Sequence, residues 1–270
     1  MPESTAIVTR FERDGFVFPL TAMSPAEAAA YRAQLEAAEA RFAAEPELRK
    51  CLRRYPNLVL PFVDEITRLP VITDAVAEIL GEDLLVLDPP FFLKEANSPH
   101  YVSWHQDLHY WGLDGDEEVT AWVALSPATV ASGCMQFVPG SHKQIVEHVD
   151  THADTNLLTR GQEVAVEVDA KDAVDVVLQP GQFSLHHGRV FHASHANGTD
   201  DRRIGLAIRY IPARMRQIEG AEMAAMLVRG EDRYGHFRRC RRPSGVFLPA
   251  DLEHWREIQG ARDQVMYRPT

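Results

Sequence analysis

From Leu84 onward the apolar residues come in runs too short to make helices. The runs cover residues 84–87, 91–94, 119–125, 134–138, 162–168, 182–186 and 203–211, and Pro, Gly, Ser and Asn fill the gaps between them. A helix needs about ten residues to bury a stripe that recurs every 3.6 positions, whereas a strand is complete in roughly four to eight. Many short strands separated by turn residues bury their edges by closing into a sandwich or barrel. The chain is therefore expected to be mainly β with α.

The segment before Gly81 has a different texture. Residues 15–20 predict a short strand entering the fold. Ser24-Pro25-Ala26-Glu27 is a capping box with proline at the first helical position, and the Ala- and Glu-rich stretch after it predicts a long helix to about Ala44. Residues 63–80 predict two helical pieces broken near Pro70 and closed by Gly81. No repeat, low-complexity tract or linker divides the chain. One domain is expected, with residues 1–81 as an N-terminal helical layer, 82–212 as the core and 213–270 as a C-terminal extension.

Bulk properties narrow the partners. The chain has 270 residues, 45% of them hydrophobic, which is enough for a large core. A formal net charge of −11 argues against a nucleic-acid surface, which needs clustered Lys and Arg. Cys51, Cys134 and Cys240 are far apart and odd in number, so neither a disulfide framework nor a cysteine metal cluster is indicated. The first eleven residues are polar, and no apolar run approaches the ~18 residues that would span a bilayer. A cytoplasmic protein with no membrane partner is the expectation, and the sequence leaves its oligomeric state open.

Chemistry enters with His105 and Asp107. In an extended segment residues i and i+2 point the same way, so one strand or its end can offer both to one ion. Two imidazoles and one carboxylate hold ferrous iron on one face and leave the other positions open, and the same donors also suit zinc. With 12 histidines and 39 acidic residues in the chain, such a pair arises easily by chance. On spacing alone His186, His187, His192 and His195 all remain open as the third ligand. His109, His142, His148 and His152 fall in expected loops, and His100, His236 and His254 have no partner pattern.

Two strands alternate in a way that matters. In the strand from Arg203 to Tyr210, one face carries Arg203, Gly205, Ala207 and Arg209, and the other carries Ile204, Leu206, Ile208 and Tyr210. Thr120, Trp122, Ala124 and Ser126 likewise oppose Val119, Ala121, Val123 and Leu125. A face that mixes arginines with very small residues can line a ligand cavity, and a solvated outer face would account for the arginines equally well.

Trp104-His105-Gln106-Asp107-Leu108-His109-Tyr110, Phe137-Val138-Pro139-Gly140-Ser141-His142 and Phe191-His192-Ala193-Ser194-His195-Ala196-Asn197, leading into Arg202-Arg203, resemble the phytanoyl-CoA dioxygenase family. The resemblance runs from about Leu84 to Ile211. It implies a double-stranded β-helix, a jelly roll of the cupin type, that works with Fe(II), 2-oxoglutarate and O2. It implies His105, Asp107 and His192 as the iron ligands. It implies Arg203 as the partner of the distal carboxylate of 2-oxoglutarate, Ser194 as a hydroxyl assisting it, and Thr120 and Trp122 as pocket-lining positions. Lys94 is a further candidate for that pocket. A carboxylate at position 107 favours hydroxylation over chlorination, since halogenating relatives have a small residue there.

Competing explanations exist for several of these residues. Trp122 could be a core aromatic, Ser194 a turn residue, Arg202 a surface residue of the 197–201 hairpin, and Pro139 to His142 a plain turn. The substrate is expected to be a small molecule. Tyr101, Trp104, Tyr110 and Trp111 could stack on a quaternary ammonium. Arg209 or the basic run Arg238-Arg239-Cys240-Arg241-Arg242 could meet an anionic group, although such a run is usually a solvated face. A small zwitterion such as an aminoalkylphosphonate fits both features. The rival functions are a non-catalytic cupin-like binding protein and a metal-dependent hydrolase on the same ligands. The hydrolase reading gives Arg203 and Ser194 no task, and the binding-protein reading predicts no 2-oxoglutarate turnover and tolerance of His192→Ala.

Overall fold

A computed structural model describes residues 3–150, 155–158, 162–165, 168, 170–218 and 223–266. In chain order its first elements are α1 (Glu3–Asp14), β1 (Phe16–Thr21), α2 (Pro25–Arg41), α3 (Leu48–Arg53), α4 (Pro61–Thr67) and α5 (Pro70–Leu80). Strands β2 (Leu84–Val86), β3 (Phe91–Lys94), β4 (Val102–His105), β5 (Val119–Ala124), β6 (Met135–Phe137), β7 (His148–Asp150) and β8 (Gln162–Val164) follow. The chain continues through β9 (Val174–Val176), β10 (Gln182–His187), β11 (His192–Ser194), β12 (Arg203–Pro212), β13 (Ala224–Arg229), β14 (Arg238–Arg239) and α6 (Pro249–Met266). Among the described residues no helix is long and apolar enough to cross a membrane. Of the histidines expected in loops, His148 instead begins β7, and His152 lies outside the described residues.

The capping box forms as the sequence predicts. The Ser24 amide donates to Glu27 Oε2 at 2.8 Å, and the Glu27 amide donates to Ser24 Oγ at 3.2 Å. Pro70 opens α5 at its first turn, where a missing amide costs nothing, and Gly81 ends it with a φ of 92°.

By its packing the chain divides into two compact units. The first comprises Met1–Ala29, Phe92–His109 and Trp122–Gly205. One of its sheets is antiparallel with the order β4-β11-β6-β9, in which His192 faces His105 and Ala193 faces Gln136 across the strands. The other pairs β1 with β10, setting Phe16 opposite His186, and β10 is followed in the strand order by β5. The Phe137 ring, from the first sheet, lies 5.0 Å from Phe16 and 4.9 Å from His186, both from the second. Two sheets with their inner side chains interleaved in this way make the jelly roll.

The second unit comprises Ala30–Phe91, Tyr110–Ala121 and Leu206–Thr270. Here β12 and β13 flank β2, with Tyr210 and Met226 both opposite Val86, and β14 runs parallel to β13. Leu85, Leu87, Ile211, Ala213, Met215, Ala225 and Phe237 form one of its buried clusters. Helices cover this part. The Tyr210 hydroxyl donates to the Thr67 carbonyl at 2.8 Å, and the Trp255 indole of α6 donates to the Arg54 carbonyl at 2.8 Å. Among the described residues, the segment after 212 therefore adds two strands and a docked helix.

The basic run at 238–242 is largely occupied by the protein's own carboxylates. Arg238 pairs with Glu257 at 3.0 Å, Arg241 with the fully buried Asp251 at 2.6 Å, and Arg242 with Asp64 at 2.6 Å. Those pairs fasten the C-terminal segment, and they leave the run little capacity for an external anion.

Candidate functional site

The first unit brings His105, Asp107 and His192 together. His105 ends β4, Asp107 opens a short 3-10 turn (Asp107–Tyr110), and His192 begins β11 directly across from His105. One donor atom from each lies within 4.8 Å of the others, and the two imidazole centroids are 3.9 Å apart. His105 Nε2 is 3.5 Å from Asp107 Oδ1.

Backbone carbonyls fix both rings. His105 Nδ1 meets the Ser103 carbonyl at 2.9 Å, and His192 Nδ1 meets the Val190 carbonyl at 3.0 Å. A carbonyl only accepts, so each Nδ1 carries a proton and each Nε2 is the nitrogen left to face the cluster. Burial, and then the neighbouring His105, hold the His192 imidazole well below its ordinary pKa and keep it neutral. Two imidazoles and a carboxylate converging from one side fit a divalent first-row metal with open positions opposite.

The other histidines have different surroundings. His195 is exposed, and His187 is half-buried with its Nδ1 accepting from the Arg189 amide at 3.0 Å. The His186 ring is buried with its centroid 5.2 Å from that of His192, yet the only cluster of donors with metal-binding spacing among the described residues is the one above.

A second feature of the same unit is a buried pair of basic side chains. Arg203 is 1% exposed and Lys94 0%. Arg203 Nη1 donates to the Gly133 carbonyl at 3.2 Å, its Nε has no partner among the described residues, and its guanidinium lies 5.2 Å from the centre of the Trp122 ring. Lys94 Nζ donates to Ser194 Oγ at 2.7 Å and to the His195 carbonyl. Burial pulls Arg203 down to about 10. Burial, and then Arg203 itself, pull Lys94 down to about 6. A buried guanidinium that meets only carbonyls and a ring face is ready for a carboxylate, so these residues fit one end of a dicarboxylate.

Glycines make this arrangement possible. A Cβ on Gly205 would lie 1.8 Å from the Trp122 ring, so only glycine lets that indole cross the neighbouring strand. Gly133, at a φ of 69°, brings its loop so close to His195 that a Cβ would come 2.2 Å from that carbonyl.

Ser194 thus touches this basic pair through Lys94, and Trp122 does so through Arg203. Arg202 pairs with Glu95 at 2.9 Å, outside that pair. Thr120 belongs to the second unit, where it is buried and its hydroxyl donates to Glu118 Oε1 at 2.6 Å. Arg209 is also in the second unit, buried 4.8 Å from the Trp111 ring centre and 3.9 Å from Asp88. Burial of both arginines on β12 removes the solvated-face explanation.

A jelly roll carrying a one-sided cluster of two imidazoles and a carboxylate has the architecture of a mononuclear metal site with open positions opposite the protein ligands. The profile of the phytanoyl-CoA dioxygenase family matches residues 11–205, and the chain belongs to that family. A protein from Stutzerimonas stutzeri described as a probable alpha-ketoglutarate-dependent hypophosphite dioxygenase is 28% identical over 172 residues, 62% of this chain and 59% of the relative. The match thus spans little more than half the length of that curated relative. Among solved structures, the apo form of the non-heme monooxygenase ThoJ is 37% identical with a TM-score of 0.87, covering 96% of this chain and 97% of the other. CytC3, solved with Fe(II) and alpha-ketoglutarate (another name for 2-oxoglutarate), is 25% identical with a TM-score of 0.66 over 92% of this chain and 96% of the other.

Proposed function

We propose that this protein is an Fe(II)- and 2-oxoglutarate-dependent dioxygenase that hydroxylates a small molecule at an unactivated C–H bond. The observation that carries the reading is the metal-ready cluster of His105, Asp107 and His192 in the same unit as a buried Arg203–Lys94 pair. A hydrolase acting through the metal alone leaves the second feature without a task.

In this reading His105 and His192 bind iron through Nε2 while their Nδ1 protons stay on Ser103 and Val190, and Asp107 supplies the negative charge. Arg203 takes the distal carboxylate of 2-oxoglutarate, with Lys94 and Ser194 beside it and the Trp122 ring excluding water from one side of the guanidinium. When bound, iron and 2-oxoglutarate supply the oxidising power: one O2 is divided between the substrate, which gains a hydroxyl, and the cosubstrate, which leaves as succinate and CO2. The protein's part is position and exclusion of water.

For the substrate, the reading favours a small zwitterion with an anionic phosphorus group, such as an aminoalkylphosphonate. Support comes from the relative named for hypophosphite and from Tyr101 and Trp104, half-buried aromatic residues on or beside β4 that could meet a cationic end. Trp111 is a poorer candidate, because its face already carries Arg209. Screening such compounds for acceleration of succinate formation by the Fe(II)-loaded protein tests the reading. Failure to bind 2-oxoglutarate, with no turnover of any compound, would overturn it.

The buried lysine makes 2-oxoglutarate binding depend on pH. Lys94 titrates near 6 in the folded protein, below the value of about 10.4 for an unperturbed lysine. Between those values the unfolded chain holds a proton that the folded chain lacks. This group's destabilising contribution is therefore complete below pH 6 and diminishes as pH rises toward 10. A bound carboxylate raises the Lys94 pKa, so binding at neutral pH takes up a proton. Affinity is then expected to fall with rising pH, by at most about tenfold per unit. Calorimetry in buffers of different ionisation enthalpy measures the uptake, and Lys94→Met should abolish it.

A further inference from the structure

We infer that Gln106 is a positioning residue for the metal centre: it locks the peptide between the two β4-side ligands onto the loop that carries the third. The inference rests on the assignment of His105, Asp107 and His192 as ligands. Gln106 is 1% exposed although its chain neighbours face the metal cluster. Its Nε2 donates to the Arg189 carbonyl at 2.7 Å and to the Gln144 carbonyl at 2.8 Å. Its Oε1 accepts from the Val146 amide at 3.3 Å. One side chain thus ties its own strand end to the 144–146 loop and to the turn before β11.

Each tie falls where it controls a ligand. Arg189 lies three residues before His192 in the turn between β10 and β11. The amide of Leu108, on the other side of Asp107, donates to the Gly188 carbonyl of the same turn at 3.0 Å. The residues flanking Asp107 are therefore both fastened to the segment leading into His192. The Pro139-Gly140-Ser141 turn completes the brace from behind. Ser141 Oγ accepts from the Phe191 amide at 2.8 Å, and the Val138 amide donates to the Phe191 carbonyl at 3.1 Å. A turn that looks like a plain connection in the sequence thus backs the residue adjoining His192.

Metal ligands held by such outer hydrogen bonds lose about 10- to 100-fold in affinity when the bonds are removed. The test is a Co(II) titration of the metal-free protein and of two variants, followed by visible absorption and by the melting temperature without metal. Gln106→Met keeps the volume and removes both donors, and Gln106→Glu keeps the shape but turns oxygen toward two carbonyls. Both should raise the Kd for Co(II) at least about tenfold and alter the Co(II) absorption spectrum, with the larger change in Gln106→Glu. Unchanged Co(II) affinity and spectrum in either folded variant, with only the melting temperature lowered, would overturn the inference and leave Gln106 a structural residue. Failure of both variants to fold overturns it in the same way. A native protein that binds no Co(II) instead defeats the ligand assignment itself.

Discussion

Arg203→Met should remove about two to four orders of magnitude from 2-oxoglutarate affinity while leaving the cosubstrate-free protein at least as stable as the native one. The two effects share a cause. Arg203 is fully buried, and its electrostatic surroundings include no carboxylate that raises its pKa. A desolvated charge in that condition is a cost to the fold, and replacing buried charges with well-packed apolar groups is often neutral or stabilising. Methionine can lie against the Trp122 ring that the guanidinium now covers. With the arginine gone, a bound carboxylate would have lost its main partner, at a cost of about 3–5 kcal/mol. Melting temperature without ligand and calorimetric titration with 2-oxoglutarate read the two effects separately. A lower melting temperature with undiminished affinity would make Arg203 a structural cation.

Which parts of the fold are legible in the sequence follows from what holds each element. The apolar runs at 84–87, 91–94, 119–125 and 203–211 become β2, β3, β5 and β12 within a residue or two at their ends, because their burial is written in their own composition. The capping box at Ser24 is equally local. By contrast, β13 is Ala-Ala-Met-Leu-Val-Arg, rich in good helix formers, and its state is decided by pairing with β2. Likewise β4 and β11 are three or four residues long and polar, and they are strands because each lies against the other. Helix α6 has little apolar periodicity to announce it and docks through Trp255 and Ile258.

At the site, residue types are legible and partnerships are not. The His-x-Asp spacing is visible at once, but only the register of β11 on β4 sets His192 opposite His105 while His195 faces solvent. Lys94 closes the run Phe91-Phe92-Leu93-Lys94, where a lysine ordinarily marks the exposed end of a strand; its burial against Ser194 depends on a contact a hundred residues away. Gln106 carries no chemistry of its own to draw notice. Its importance comes from carbonyls at 144 and 189 that the fold delivers to it. The Arg238 to Arg242 run shows the reverse case, a conspicuous charge cluster whose carboxylate partners lie at 64, 251 and 257.

Asp107→Ala should abolish hydroxylation and weaken Co(II) binding by about two orders of magnitude or more. Both imidazoles of the cluster are oriented by carbonyls and offer only neutral nitrogen, so Asp107 is the one anionic donor in it. Removing it leaves a dication in a largely buried site without the charge that offsets its desolvation, a loss of the order of 3–5 kcal/mol by analogy with breaking a buried ion pair. Asp107→Asn separates charge from geometry. It keeps an oxygen at the same place without the charge, and it should fall between the native protein and the alanine variant in Co(II) affinity. Added formate offers a further check, since a small carboxylate can enter the space vacated in Asp107→Ala but has no room beside the asparagine. Partial recovery of succinate formation with formate in the alanine variant alone would place the lost function in the carboxylate itself. Full activity in Asp107→Ala without any added anion would remove Asp107 from the ligand set.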